Sequence, residues 1–493
     1  MSPSSSDDQS QRGPGHSRPG PSSLRQTGLS VRFWDRFAGI TIAGGGLAVL
    51  AAMLGICVFL VASAAPLFRS GGTVSQLQTP SDLGQTTPLI VRLGVREHSA
   101  VVVDHDGRFH EVSLSTGERL ASVDLRTDGL PPGAASYDAQ GHSLTLAYPD
   151  GTVRSAAIDQ PDILLDAAFA LQNWPALAVG ESVALNERQR AEIASSLRLR
   201  DALSEQARVE RTGDDTWFVE DVRVELSAPA RFPDLVGAPV FIQNLRSSAR
   251  LSRMVCLTDA GRLFFAESRR VVRLGGGSSS ERITAREIPL GEIASDAIGA
   301  FVTSDGESLM LVHADGLLRR FDSRGGVRSE IPEIESVRLT GDGASVTSVA
   351  MALGGLSLLV GDDSGRVSAW TIVNDAAGGA SDGRRMSRAS SVPVGNSPIT
   401  AIGVGERDRT IAIGAADGSL ELRNMTSGKR VARLPATGTP VVSAAIAPAL
   451  DRAIAIGADR LLYPSDAADE LPRVDLGGSR IIQKQHHKYP HHT

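Results

Sequence analysis

The chain has 493 residues, with 50 lysines and arginines against 56 aspartates and glutamates and a formal net charge of −6. This balance offers no electrostatic footprint for nucleic acid, while 41% apolar residues permit a large folded core. The two cysteines, Cys57 and Cys256, fall in different predicted segments and should not pair, so a disulfide framework is excluded.

The chain starts with a polar tail, which runs from Met1 to Leu29 and is rich in Ser, Pro, Gly and Gln. A segment with so few apolar residues cannot build a core. We expect residues 1–32 to form a disordered tail.

An uncharged apolar run follows, from Phe37 to Phe68. About twenty apolar residues suffice to cross the hydrocarbon core of a bilayer, so the run predicts a transmembrane helix over residues 33–68. A cleaved signal peptide is the alternative, because Ala62-Ser63-Ala64 resembles a cleavage site. The run is roughly twice as long as an ordinary signal-peptide core, which favours a retained anchor.

The charges that flank this run predict its orientation. Five arginines precede it, whereas Arg69 is the only basic residue among the twenty residues after it. Basic residues near a span favour the cytoplasm. The tail is therefore predicted to be cytoplasmic, and residues 72–460 are predicted to lie on the periplasmic side of a bacterial inner membrane.

From about Gly72 onward a short pattern recurs, in which an apolar stretch, a turn built on Asp and Gly, and an alternating stretch follow one another. The turn glycines are Gly107, Gly151, Gly261, Gly316, Gly365 and Gly418. Glycine permits the positive φ that tight hairpin turns require. In the last repeat Leu420 and Leu422 alternate with Glu421 and Arg423, which is the periodicity of a strand.

The spacing of these turns predicts a fold that is mainly β, a WD40-like β-propeller. Most intervals between turns lie between about 44 and 56 residues, the length of a four-stranded blade. One interval, Gly151 to Gly261, is double, and a hidden blade with strands near 207–209 and 217–226 is expected to fill it. The segment 186–206 predicts a helical excursion from that blade. These repeats predict seven or eight blades, of which the last is incomplete. A β-sandwich is the alternative fold, but it would not show a fixed period.

The last residues, 461–493, differ in character from the repeats. The period breaks where a glycine should follow Ala458-Asp459, and the pieces LLYPSDAADE and VDLGGSRII resemble the translation of a sequencing-library adapter. These residues are therefore predicted to be a non-native tail. Its four closely spaced histidines are weak evidence for a metal site; they are His486, His487, His491 and His492.

The motifs of common active sites are missing, and we predict no catalytic, cofactor-binding or metal-binding residue and no enzymatic activity. There is no P-loop, no H-E-x-x-H and no C-x-x-C. One G-x-S-x-G match, Gly379 to Gly383, lies in a Gly/Ser-rich loop and lacks the strand and helix that a nucleophile elbow needs. The Asp pairs, such as Asp362-Asp363 and Asp214-Asp215, lie in turns. The histidines beside turns are expected to be packing or surface residues; they are His105, His110 and His313.

The junction between tail and repeats carries a family resemblance. Asp35-Arg36, then Gly44-Gly45-Gly46 in a long apolar run, and then Ala65-Pro66-Leu67-Phe68 resemble the start of the long phosphate-type ABC transporter permeases. The resemblance covers residues 30–460 and implies one membrane span followed by an inserted periplasmic propeller. The permease core is missing, as it would be in a chain truncated near residue 460.

The resemblance implies a role in importing phosphate or a related solute. The implied partners are a second permease subunit, a cytoplasmic ATPase, a periplasmic solute-binding protein and membrane lipid. In this hypothesis the propeller docks or regulates those partners. Two alternatives remain open: a complete membrane-anchored propeller scaffold or interaction protein, and a propeller enzyme that acts on an extracellular substrate.

Overall fold

The structure is a computed structural model of the whole chain. It describes residues 37, 41–42, 44–58, 75–76, 79–80, 87–94, 99–114, 117–138, 143–160, 163–199, 201–246, 251–271, 280–290, 296–341, 343–375, 380–406, 409–447, 452–459 and 461–466. The chain divides into two compact units, Met1–Arg69 and Ser70–Thr493. The predicted disordered tail, residues 1–32, lies outside the described residues.

The first unit is helical where it is described, chiefly over residues 44–58. Among the described residues, no helix is both long enough and apolar enough to cross a membrane. The prediction of a transmembrane helix over 33–68 is therefore wrong for the part of that segment that the structure describes. The sequence argument relied on the length of the apolar run, whose residues 59–68 lie outside the described part.

The second unit is built almost entirely from short strands. The first are β1 (Ser75–Gln76), β2 (Thr79–Pro80), β3 (Pro88–Leu93), β4 (Ser99–Asp104), β5 (Arg108–Ser113), β6 (Arg119–Asp124), β7 (Ala134–Asp138), β8 (Ser143–Ala147), β9 (Thr152–Asp159) and β10 (Ile163–Leu165). Helix α1 (Ala167–Asn173), β11 (Ser182–Ala184), helix α2 (Glu187–Ser196), β12 (Arg208–Gly213), β13 (Thr216–Glu220), β14 (Arg223–Leu226), β15 (Ala230–Arg231), β16 (Pro239–Arg246), β17 (Leu251–Thr258), β18 (Leu263–Val271) and β19 (Ser280–Ile288) follow.

The remaining strands continue the same pattern to Asp466. They are β20 (Ala297–Val302), β21 (Ser308–His313), β22 (Leu317–Asp322), β23 (Glu333–Arg338), β24 (Val346–Met351), β25 (Ser357–Asp362), β26 (Arg366–Asn374), β27 (Arg384–Pro393), β28 (Ile399–Val404), β29 (Thr410–Ala415), β30 (Leu420–Asn424), β31 (Arg430–Leu434), β32 (Val441–Ile446), β33 (Arg452–Gly457) and β34 (Leu461–Asp466). All the pairings between them are antiparallel, so the prediction of a mainly β fold is confirmed.

Seven of the sheets form a closed ring, which is the architecture of a β-propeller. Their innermost strands contact one another in the order β3, β7, β16, β20, β24, β28, β32 and back to β3. Six blades add their strands outward from these: blade 1 is β3–β6, blade 2 is β7, β8 and β9 with β14 and β15 both paired to β9, blade 3 is β16–β19, blade 4 is β20–β23, blade 5 is β24–β27 and blade 6 is β28–β31. Blade 7 starts from β32.

Blade 7 contains strands from both the beginning and the end of the second unit. It contains β32, β33 and β34, and β1 and β2 pair with β34 on its outer side. The sheet therefore extends to Asp466, past the boundary at residue 460 that the sequence predicted, and its outer strand comes from the start of the unit. The predicted tail beyond it, residues 467–493, lies outside the described residues.

Apolar clusters fill the spaces between neighbouring blades. Seven clusters lie in these spaces, one between each pair of consecutive blades. Between blades 3 and 4, for example, Val255 and Phe265 pack against Leu309 and Phe321, all at most 1% exposed. Because each sheet is covered on both faces, its middle strands consist largely of buried residues.

The predicted turn glycines have the conformation that the sequence required. Gly107, Gly151, Gly261, Gly316, Gly365 and Gly418 all have positive φ, between 67° and 88°. In the turn at Gly365, the Asp362 carboxylate accepts hydrogen bonds from the backbone N–H groups of Ser364 and Arg366. The corresponding turn of blade 7, at Ala458-Asp459, contains no glycine.

The double interval contains an insertion and not a blade. Strands β10, β13, β12 and β11 form a separate four-stranded sheet, which α1 and α2 accompany. This sheet has its own core around the fully buried Trp217 and contributes no strand to the ring contacts. The predicted helix begins after Asn186, which caps it, but ends at Ser196 and not at residue 206. The expected hidden blade is thus corrected to an insertion between β9 and β14 of blade 2.

Candidate functional site

The inner strands carry a repeated irregularity that shapes the central channel. In six of the seven, the register shifts after the first residue, as it does at a β-bulge. Two of the bulged residues are threonines that tie their blade to the next one. Thr347 donates a hydrogen bond to the Ile399 carbonyl, and Thr400 donates one to the Val441 carbonyl, both at 2.6 Å.

The channel opens into a cavity of about 580 Å³ near the carboxyl ends of the inner strands. We call this cavity the channel mouth. Residues from all seven inner strands line it. Its walls are mostly apolar, and Phe241 and Phe301 form an edge-to-face pair with ring centroids 5.3 Å apart. Large concave sites with few polar groups are the usual place for ligands.

Close packing of small residues brings the channel walls together on one side. A Cβ atom added at Gly403 of β28 would lie 2.5 Å from the Ala444 carbonyl oxygen of β32. Glycine at this position therefore lets two inner strands approach each other closely. The next charged residue along the chain is Glu406, which follows the end of β28 by two residues.

Arg92 is the cation of the channel mouth. Its guanidinium forms an ion pair with Glu406 and lies over the Tyr137 ring, 3.5 Å from the ring centroid. The Arg92 side chain is 19% exposed. Burial lowers the pKa of Arg92 to about 10, although the nearby Tyr137 and Asp138 oppose this effect. Arg92 therefore keeps its charge at neutral pH.

Two further polar side chains reach the cavity. Burial raises the pKa of the Tyr137 phenol, and Arg92 partly offsets this, so the phenol keeps its proton at neutral pH. The Gln243 side-chain oxygen accepts a hydrogen bond of 2.6 Å from the Val302 amide of the next blade. This contact fixes the Gln243 amide group, whose N–H donors remain for a group within the cavity.

The arrangement suits the binding of an anionic group. A protonated arginine, a phenol and an amide are all hydrogen-bond donors, while Glu406 is the acidic side chain that pairs with the arginine. A guanidinium matches a carboxylate in a bidentate geometry. An incoming carboxylate could take the place of Glu406 and keep the partly buried guanidinium of Arg92 paired.

The residues that the sequence singled out lie elsewhere. His110 pairs with Asp104 at 3.1 Å, and burial lowers the pKa of His110. His313 pairs with Asp296 at 2.8 Å. Both side chains belong to blade packing, as expected. Asp214 and Asp215 lie at the turn between β12 and β13, and the terminal histidines lie outside the described residues.

The G-x-S-x-G match has a structural role where it is described. Gly379 lies outside the described residues, but Asp382 is 1% exposed and pairs with the fully buried Arg320 of blade 4 at 2.5 Å. The segment thus joins two blades. Among the described residues, no group of three or more His, Cys, Asp or Glu side chains is placed to hold a metal ion.

Sequence analysis missed the polar residues of the channel mouth because no local spacing connects them. Arg92, Tyr137 and Glu406 lie on three different blades. A signal was nonetheless present in the repeats: Arg92 and Tyr137 occupy the same place, the next-to-last residue of an inner strand. An alignment of the repeats by their inner strands would have placed the two residues side by side.

Comparisons with known proteins assign the chain to no family. No family model matches the chain, and no curated protein matches it. The solved β-propeller domain of Cps50 (Swd1) from Myceliophteria thermophila is 11% identical, with a TM-score of 0.48 over 79% of this chain and 99% of that one. Raptor from Chaetomium thermophilum is 14% identical, with a TM-score of 0.45 over 80% of this chain and 29% of that one.

These findings correct the family prediction. The two solved structures are a β-propeller domain and Raptor, neither of which is a phosphate-type ABC transporter permease, and no family model matches the chain. The predictions of a permease, of phosphate transport and of truncation before a permease core are therefore wrong. The predicted location in a bacterial inner membrane, with a periplasmic propeller, relied on that family and on the membrane helix, and is corrected with them. The transporter subunits named as partners stay untested.

Proposed function

We propose that this chain is a β-propeller interaction protein that receives an extended segment of a partner protein at the channel mouth. The observation that carries the proposal is the cavity of about 580 Å³, to which every blade contributes and in which Arg92 is a partly buried cation. A propeller scaffold or interaction protein, expected from the sequence to be complete and membrane-anchored, was one of the alternatives to the transporter hypothesis. That the chain is not an enzyme stays a prediction.

The protonation of the polar groups favours binding over acid–base chemistry. Arg92, with a pKa of about 10, and Tyr137, with a raised pKa, both keep their protons near neutral pH. A general acid or base works best when its pKa lies near the operating pH. Neither residue meets that condition, whereas both can donate hydrogen bonds to a bound group.

The lining of the cavity favours a segment with apolar side chains and one acidic group. Apolar walls such as Phe301 and Met351 would cover side chains of the segment, while Arg92 would exchange Glu406 for the carboxylate of the ligand. A charge-assisted hydrogen bond contributes about 1.5 to 3 kcal/mol. Loss of the Arg92 cation should therefore weaken binding about tenfold or more.

The experiment is an affinity purification of the tagged full chain from the cells in which it occurs, followed by quantitative mass spectrometry. The test variant is Arg92→Met, which removes the charge and keeps an unbranched side chain. Arg324→Met is the matched control, because Arg324 lies on an exposed turn of blade 4 and pairs with Asp322. Thermal melts of all three proteins verify that the ring is folded.

The expected result is a protein that the wild type and Arg324→Met enrich equally and that Arg92→Met enriches about tenfold less. Peptides from that protein, with each acidic residue intact or amidated, then locate the carboxylate by fluorescence anisotropy. Equal enrichment by both variants would show that the channel mouth does not hold the partner.

A further inference from the structure

The outer strands of two neighbouring blades share an unusual excess of positive charge. Strand β27 of blade 5 and strand β31 of blade 6 contain no acidic residue and five arginines, which are Arg384, Arg385, Arg388, Arg430 and Arg433. The chain as a whole contains more acidic than basic residues, 56 against 50. The excess at these two strands is therefore a local feature of the ring.

Three of these arginines lack an acidic partner among the described residues. Arg384 pairs with Glu307 and Asp382, and Arg385 lies 3.5 Å from Asp375. Three exposed side chains have no described carboxylate oxygen within 4 Å, and we call them the basic flank: Arg388, Arg430 and Arg433.

Contacts between the two blades hold the end of β27 beside the β30–β31 hairpin. Arg423 of β30 donates a hydrogen bond of 3.1 Å to the carbonyl of Pro393, the last residue of β27. A Cβ atom at Gly428, in the turn before β31, would lie 3.1 Å from Val392. The end of β27 therefore packs against the start of the hairpin that presents Arg430 and Arg433.

Both strands also present an open edge. Within the described part of the chain, β27 pairs only with β26, and β31 only with β30. Val431, between the two arginines of β31, is 36% exposed. An open strand edge accepts an extended polypeptide through backbone hydrogen bonds, and arginines along it add bidentate contacts to carboxylates.

We propose that the basic flank binds an extended acidic segment of another protein. A nucleic acid duplex would need a larger basic footprint than three arginines on a chain of net charge −6. A membrane surface would need a broad apolar face beside the charges, whereas Val431 is a single partly exposed residue. This surface is separate from the channel mouth and does not depend on its function.

The test uses a fluorescein-labelled peptide of about twelve residues that alternates Glu and Val, a pattern typical of a strand. Its binding to the full chain is followed by anisotropy at about 0.05 M and about 0.3 M salt, since screening weakens exposed charge pairs. The test variant combines Arg388→Glu, Arg430→Glu and Arg433→Glu. The matched control combines Arg126→Glu, Arg262→Glu and Arg324→Glu, three exposed arginines on other blades.

Both triple variants change the net charge equally, so the comparison isolates position. We expect the test variant to lose at least tenfold in affinity and the control to lose less than twofold. Lysine at the three positions should retain most of the affinity.

Equal losses in the test and control variants would overturn the proposal, because only net charge would matter. Unchanged binding by the test variant would also overturn the proposal, and these arginines would then only protect an open edge from aggregation. Two other results would also overturn it: tighter binding of a DNA duplex or of phosphatidylserine vesicles through the same arginines, and self-association through them in analytical ultracentrifugation.

Discussion

At the scale of single residues, Arg320 shows how the ring tolerates a buried charge. Its guanidinium is fully buried and pairs with Asp382 at 2.5 Å and with Glu335 at 2.7 Å. Glu335 also accepts a hydrogen bond from the Met386 amide of blade 5. Since Arg320 and Glu335 belong to blade 4 and Asp382 to the β26–β27 loop of blade 5, the charges lock two blades together.

We predict that Asp382→Asn or Arg320→Ala lowers the free energy of unfolding by about 3 to 5 kcal/mol, because each removes one partner from the buried Arg320–Asp382 ion pair. Urea denaturation measures the change. The control, Arg324→Ala, breaks the exposed pair with Asp322 and should cost at most about 1 kcal/mol. A similar small loss for Asp382→Asn would show that the buried pair does not lock the blades.

The same pair should make stability depend on pH in acid. Burial alone would raise the pKa of Asp382, but hydrogen bonds from Arg320 and from the Arg384 amide outweigh it and lower the pKa from 3.8 to about 2. When a carboxyl group has a lower pKa in the folded state than in the unfolded state, its ionised form stabilises the fold. This stabilisation is complete above the unfolded-state pKa and is lost as the pH falls through the folded-state pKa. The stability difference between wild type and Asp382→Asn should therefore shrink from about pH 4 to about pH 2, which urea melts at each pH would show.

The identity of single residues predicted the hairpin turns well, but it predicted poorly which distant residues contact one another. The six glycines have positive φ because the hairpin turn needs it locally. The alternation of Leu420 and Leu422 with Glu421 was also predicted, yet Glu421 is 1% exposed and pairs with Arg423, since neighbouring blades cover both faces of a sheet. Asp382 and the channel-mouth residues depend on blades distant in sequence, which spacing cannot reveal.

At the scale of elements, the insertion is attached to the ring by adjacent ends. Arg223 of β14 is the cross-strand partner of Asp159 of β9, so the chain leaves and re-enters blade 2 at one point. Two hydrogen bonds between the Gln206 side chain and the Ser122 backbone hold the insertion against β6. Its core around Trp217 is its own.

We predict that replacing residues 160–222 by an Asn-Gly turn leaves the ring folded, because such a turn can join two paired strands directly. Circular dichroism should retain the β spectrum and a cooperative melt close to that of the wild type. As a control, Trp217→Ala should destabilise the insertion by about 3 to 5 kcal/mol and leave the ring transition in place. Failure of the shortened chain to fold would show that blade 2 needs the insertion.

The sequence revealed the strands of this region but not the sheet to which they belong. Strands were expected near 207–209 and 217–226, and β12, β13 and β14 occupy those positions. Strand periodicity reports only which side chains alternate. Whether a strand pairs within a blade or within an insertion depends on contacts that periodicity does not contain.

At the scale of the whole molecule, the ring is closed by pairing and not by the covalent chain. Strands β1 and β2, from the start of the unit, pair with β34 at its end. Without them, β34 would present an open edge, and open edges promote aggregation.

We predict that a chain starting at Asp82 melts at least about 3 °C lower and aggregates more than a chain starting at Ser70, because only the first lacks β1 and β2. Differential scanning calorimetry and size-exclusion chromatography measure the two effects. The chain from Ser70, which lacks the unit Met1–Arg69, is the matched control. Equal melting of both chains would mean that β1 and β2 do not secure the ring.

The overall architecture was predictable because the propeller repeats one local pattern. The interval between turns indicated four-stranded blades, and the ring of seven sheets agrees with it. The family assignment was wrong because a short junction motif and an apolar run were combined with that repeat. A propeller is compatible with many functions, so the repeat could not distinguish among them.

Blade 7, which combines β1 and β2 with β32, β33 and β34, also affects how the protein folds during synthesis. While a ribosome extends the chain, blades 1 to 6 can assemble in turn as each sheet emerges, but β1 and β2 have no partner until residues 461–466 have been translated. Every nascent chain therefore carries its first two strands unpaired until synthesis has reached the last one, and the final step of folding comes after almost the whole ring has left the exit tunnel.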